Sequence, residues 1–224
     1  MNLNFRPLYR AVSAAPWLPL FCTLAAVLIF AAHSPAAKKK AKKPGTAAAA
    51  AESVSEELTP EEIIWNYLYE KIGNPYGTAG LMGNLYAEST LHSNNLQNSY
   101  ERKLGMTDDE YTDAVDSGTY ENFVRDAAGY GLAQWTFWSR KEALLKFARE
   151  RGVSIGDLEM QLDYLWYELS VKYAPLAKAL KEAGSVREAS DVILLKYERP
   201  ADQSEKAQQR RASFGERYFQ QFAQ

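Results

Sequence analysis

The chain has 224 residues with 26 Lys+Arg against 28 Asp+Glu, and so offers no basic excess to a nucleic acid. Its two histidines, His33 and His92, and its one cysteine, Cys22, exclude disulfides, cysteine-based metal sites and most zinc or Ser-His and Cys-His mechanisms. The charge is divided unevenly: residues 1–57 carry a net of +4 and residues 58–224 a net of −6.

Arg6 and Arg10 precede an uncharged stretch that is largely apolar from Trp17 to Ala32 (WLPLFCTLAAVLIFAA). A basic n-region followed by an apolar h-region is an export signal. The apolar core is shorter than the roughly 20 residues of a spanning helix, but the flanking Ala11–Pro16 would lengthen it enough. Residues 1–33 are therefore read as a signal peptide or an N-terminal membrane anchor. An Ala/Lys-rich linker follows over residues 34–57, and residues 58–224 form the domain, expected outside the membrane in either case. The five linker lysines would then sit on the outer side, which disfavours a retained anchor.

The domain opens with Thr59-Pro60-Glu61-Glu62, a capping box with proline at the first helical position. Ile63, Ile64, Tyr67, Leu68 and Ile72 continue at helical spacing until Gly73 and Pro75. A second helix is predicted through Gly83-Asn84-Leu85-Tyr86-Ala87-Glu88-Ser89. Leu81, Leu85 and Glu88 share one face of it, and Gly80, Gly83 and Ala87 make a row with almost no side chain. Each glycine costs about 1 kcal/mol of helix propensity, so the row implies that another backbone comes close. A carboxyl beside an apolar stripe is partly desolvated, which favours its protonated form and suits a general acid. The alternative is a helix-end glutamate turned to solvent.

From Leu91 to Gly129 the chain is polar and acidic. It is read as long loops with short helices near Asp108–Val115 and Tyr120–Asp126, and long loops in a compact domain are commonly functional. Next comes Gly129-Tyr130-Gly131-Leu132-Ala133-Gln134-Trp135-Thr136, a tight backbone passage that sets an amide beside an aromatic ring. Helical periodicity returns at Ala143, Leu144, Phe147 and Ala148, again at Leu158, Leu162, Leu165 and Leu169, then over Val186–Glu198 and about Gln203–Phe222.

These motifs, in this order, resemble the phage tail lysozyme family of the lysozyme-like superfamily, related to goose-type lysozymes and lytic transglycosylases. The matching stretches are Gly83–Ser89, Tyr111–Gly118, Gly129–Thr136, Arg140 and Gln161–Leu165, followed by Tyr197-Glu198-Arg199-Pro200. The resemblance implies a mostly α, lysozyme-like α+β fold, with a small irregular or β lobe framing a glycan cleft. It also implies cleavage of the β-1,4 bond between N-acetylmuramic acid and N-acetylglucosamine in peptidoglycan, by hydrolysis or transglycosylation. Glu88 takes the position of the catalytic acid, and Ser89, Tyr130, Gln134 and Trp135 are expected to bind substrate. A second carboxylate is expected at Asp126, or failing that Asp116, whereas Glu198 is read as a structural partner of a nearby arginine. No cofactor or metal is expected. The partners are peptidoglycan glycan strands, and the membrane if residues 1–33 are retained; the protein is expected to be a monomer. The reading from another class is a non-catalytic glycan-binding or phage-tail structural module with the same fold.

Overall fold

The computed structural model describes residues 57–224. The signal or anchor segment and all but the last residue of the linker lie outside them. Among the described residues no helix is long and apolar enough to cross a membrane.

Thr59 caps α1 (Pro60–Ile72) through the predicted reciprocal pair with Glu62, and Gly73 closes it at φ 68°. Asn74 starts α2 (Pro75–Ser89): its Oδ1 accepts from the amides of Tyr76 and Gly77. Two short helices follow, α3 (Asn98–Leu104) and α4 (Asp108–Asp116), the latter capped by Thr107 and Glu110. Then come α5 (Trp138–Arg151) and α6 (Leu158–Tyr167), which runs into a five-residue π-helical segment, Glu168–Lys172. The remainder is α7 (Ala174–Glu182), α8 (Val186–Ile193) with a second π segment at Leu194–Glu198, and α9 (Glu205–Phe222).

The domain is built around α2. Every residue from Gly77 to Leu85 is buried, so this helix is covered on all sides, as a central helix must be. The small-residue row does what its composition predicts. A β-carbon on Gly80 would sit 2.5 Å from that of Ala189 in α8, and one on Gly83 would sit 2.5 Å from the Arg211 carbonyl and the Gly215 amide in α9. Glycine is required there because α8 and α9 lie directly against the α2 backbone.

The region between α2 and α5 is irregular rather than β. Among the described residues its only extended pairing is two isolated bridges, Leu96 with Tyr130 and Tyr130 with Trp135. The helix expected over Tyr120–Asp126 is a run of turns instead, with Phe123 buried inside it. Asp126 is drawn inward there by Lys141, which pins the chain in a non-helical path.

Candidate active site

Glu88 lies in the last turn of α2. Ser89 fixes the helix end, its hydroxyl donating to the Leu132 carbonyl at 2.9 Å, and Thr90 and Leu91 then turn the chain sharply at φ 52° and 66°. The face that carries Glu88 is not the purely apolar one that the sequence suggests. Arg211 of α9 sets its Nη2 2.6 Å from Glu88 Oε1, with the two side chains 6% and 18% exposed. The glycine row explains the pairing: the backbone of α9 touches Gly83, one turn before Glu88, at Arg211 itself. Asn84 Oδ1 also accepts from Arg211 Nη1 at 3.4 Å. The ion pair is poorly directed, since Glu88 Oε1 and Arg211 Nε both lack a well-formed hydrogen bond.

Opposite this helix end, the 129–136 segment is held by Gln161. Its Oε1 accepts from the Leu132 amide at 2.9 Å, and its Nε2 donates to the carbonyls of Ser93 and Ile155. Gly131, at φ 75°, has the Gln161 amide pressed against it where a β-carbon would be. Gln134 takes φ 43° and donates to the Asn95 carbonyl and side chain. Of the four residues expected to bind substrate, only Gln134 lines the cleft. Tyr130 and Trp135 are fully buried, and Ser89 is spent on the Leu132 carbonyl. The aromatic rings of this motif are core, and only its backbone and its glutamine face outward.

Trp135 leads to a residue that the sequence pattern does not announce. Its Nε1 donates to Glu168 at 2.8 Å, and Glu168 also accepts from Arg140, Tyr164 and Tyr197. Four separate motif stretches thus converge on one carboxylate that is 1% exposed. Burial by itself would raise the Glu168 carboxyl. The Arg140 guanidinium and the donors from Trp135 and Tyr197 outweigh it and hold Glu168 below the ordinary range. Burial also pushes the Tyr197 phenol well up, so it remains a donor.

A cleft of about 720 Å³ runs past Glu88, Gln97, Tyr100, Gln134, Arg140 and Glu198. That is within the usual range for a small-molecule or saccharide site. Gln97 and Tyr100 come from the start of α3, a helix with no buried residue and hence no apolar period to announce it. Among the described residues five non-glycines have left-handed backbones: Ala127, Gln134 and Arg199 line the cleft, and Thr90 and Leu91 come just after Glu88. Such conformations cost about 1 kcal/mol or more each and gather at functional sites.

Glu198 is not the arginine-paired residue that its neighbourhood in the sequence suggests. It ends the second π segment, lines the cleft, and forms no ion pair among the described residues. Its Oε1 is fully enclosed and has no hydrogen-bond partner there. Burial pushes its carboxyl well above the ordinary carboxylate range; the charge of Glu88 adds to this, while Arg140 and Arg211 oppose it.

The two aspartates expected as a second carboxylate stand elsewhere. Asp126 is 3% exposed and bound to the fully buried Lys141 Nζ at 2.6 Å, with Tyr111, Tyr120 and the Ala128 amide as further donors. Asp116 is an exposed residue that accepts from the Ile155 amide at 2.9 Å, beside a different hollow between α4 and α5. Neither lines the cleft that holds Glu88. No group of three or more His, Cys, Asp or Glu among the described residues is placed to hold a metal ion.

The family model described as phage tail lysozyme matches residues 59–222, nearly the whole described domain. Membership implies a lysozyme-like peptidoglycan hydrolase. With a helical frame around one polar cleft, and a match that runs from the α1 cap to the last residue of α9, the chain belongs to the phage tail lysozyme family.

Proposed function

We propose that the cleft cleaves the β-1,4 bond between N-acetylmuramic acid and N-acetylglucosamine in peptidoglycan, with Glu88 as the general acid that protonates the departing oxygen. The observation that carries this reading is the placement of Glu88. It is the family's Glu-Ser glutamate, set at a rigid helix end in the cleft, partly open to solvent and opposite the strained Gln134 segment. A positioned carboxyl acid accounts for about 10²–10⁴-fold in rate. Gln134 and Gln97 supply amides to orient the N-acetyl groups of the glycan. Tyr100 and the exposed Phe137 offer apolar faces to its sugar rings. The export signal read in residues 1–33 agrees with a substrate outside the membrane. Protease added to intact cells should therefore degrade the domain, and full protection would refute export.

The direct test is digestion of purified sacculi by wild type and Glu88→Gln, followed by mass analysis of the released fragments. Release by wild type and none by a folded Glu88→Gln supports the reading. Release by both variants would remove Glu88 as the acid. Binding without release by wild type would mark a glycan-binding module instead.

A further inference from the structure

A glycosidase that hydrolyses its substrate needs a second carboxyl besides the acid, either to attack the sugar or to activate water. Asp126 and Asp116 are both committed elsewhere, so the cleft itself has to supply it. Among the described residues, Glu88 and Glu198 are the carboxyl-bearing residues that line it.

Glu198 is held in place from both sides. The Tyr197 hydroxyl bonds Glu168 at 2.8 Å, which anchors the π segment one residue before Glu198. Arg199 then takes a left-handed backbone at φ 51°, and its amide closes on the Leu194 carbonyl. The side chain between these anchors enters the cleft with one oxygen enclosed and unpartnered. A purely structural carboxylate in a low-dielectric position is expected to be hydrogen-bonded; one left unmatched calls for a functional explanation.

We propose that Glu198 is the second carboxyl of this cleft, taking a proton from the attacking water while Glu88 gives one to the leaving oxygen. The proposal rests on the acid role of Glu88 given above. The charged groups facing Glu198 are Glu88 from α2, Arg140 from α5, Arg211 from α9 and Glu168 from the first π segment. Before substrate binds, Glu88 is paired with Arg211, and burial with the charge of Glu88 keeps the proton on Glu198.

The chemistry then closes on itself. The proton that burial keeps on Glu198 passes to Glu88. Glu88 delivers it to the glycosidic oxygen as the bond from that oxygen to the anomeric carbon breaks. The carboxylate left on Glu198 takes a proton from water as the water oxygen bonds to the anomeric carbon. One water is consumed, two hydroxyls are formed, and Glu198 is again protonated with Glu88 again a carboxylate. The starting arrangement of protons is the one that hydrolysis regenerates.

The test uses Glu198→Gln, Glu198→Ala and Glu88→Gln on sacculi, with rate against pH, fragment masses and melting temperature recorded for each. The expected result is a folded Glu198→Gln slowed at least about 100-fold, with one limb of the wild-type pH profile gone. Wild-type fragments should carry hydrolysed rather than anhydro ends. Azide, a nucleophile that needs no base, should restore cleavage by Glu198→Ala but not by Glu88→Gln. A Glu198→Gln rate within threefold of wild type and an unchanged pH profile, beside a dead Glu88→Gln, would overturn this inference alone. So would a Glu198→Gln that fails to fold, or a Glu198→Ala that azide leaves inactive. An active Glu88→Gln would instead overturn the acid role on which it rests.

Discussion

Two glutamates sit on five-residue π segments of this domain, and their surroundings could hardly differ more. Glu168 is met by a guanidinium, an indole N–H and two phenols, so its charge is fully compensated. Glu198 has an enclosed oxygen with no donor and no ion pair among the described residues. The two are neighbours through Tyr197, which bonds Glu168 and directly precedes Glu198. A π segment widens the helix and re-aims the residues it carries, which is why such insertions accompany functional sites. Here the first builds a rigid support and the second uses it to hold an uncompensated carboxyl in the cleft. The compensated glutamate belongs to the frame, and the uncompensated one lines the cleft.

The largest effect should come from removing the compensated member. Glu168→Ala leaves the mostly buried Arg140 without its partner and orphans the Trp135 and Tyr197 donors. Breaking such a pair from one side costs about 3–5 kcal/mol, to be read as a lower denaturation midpoint in urea. The pH dependence of Glu168 has a definite sign. Its folded value is depressed, so its stabilisation is present above the ordinary glutamate range and is lost as pH falls through the folded value. Comparing wild type with Glu168→Gln, the stability gap should therefore shrink in acid.

Asp126→Asn tests the same rule at a second compensated site. It withdraws the charge that partners Lys141, while the Ala128 carbonyl and the Tyr111 hydroxyl still accept from the ammonium. The expected loss is about 3 kcal/mol, near the low end for a buried pair. Turnover per folded molecule should stay near wild type, because Asp126 does not line the cleft. A folded Asp126→Asn with turnover down by orders of magnitude would restore it as the second carboxylate.

Gly83→Ala acts on the cleft and spares the Glu168 cluster. The added methyl meets the Arg211 carbonyl and the Gly215 amide at 2.5 Å, so α9 must shift. Overpacking of this kind costs about 1–3 kcal/mol, and the lysis rate should fall further than stability alone explains. The smallest change, and the only one with the opposite sign, is Glu198→Gln. Its folded value is raised, so wild type gains most below the unfolded value and loses that gain as pH climbs through the folded one. The glutamine variant should draw ahead in that window, by about 1.4 kcal/mol for every tenfold by which folding tightens the carboxyl's hold on its proton. Melting curves for the two proteins that stay parallel with pH would end the distinction between Glu168 and Glu198.

What the sequence discloses follows the range of the forces involved. The capping box at Thr59 and the Gly80–Gly83 row act over three or four residues, so they can be read directly and the structure agrees. Glu88 and Gln134 come from motif order, and the cleft contains both. Arg211 and Glu168 have no local signal, because their partners lie on distant helices. Trp135 and Tyr130 point to substrate on sequence and to the core in the structure, since a glycine-rich segment with aromatic residues looks the same in either setting. Arginines near Glu198 in the sequence suggest an ion pair, but among the described residues Glu198 forms none, although Arg199 lines the same cleft. The short helix α3 escapes because it buries nothing, and the regular α7 because Pro175 follows its first residue and obscures the start.

The pairing of Arg211 with Glu88 has a consequence for biosynthesis. The glutamate lies on α2 and its counter-ion on α9, so the carboxyl leaves the ribosome or the export channel well before the guanidinium does. A nascent, stalled or truncated chain that stops before Arg211 carries the acid without the guanidinium beside it and without the helix that packs on Gly83. The cleft can therefore assemble only after α9 has been made. Removal of α9 should abolish lysis, and adding the helix back as a peptide is the way to see whether assembly depends on it.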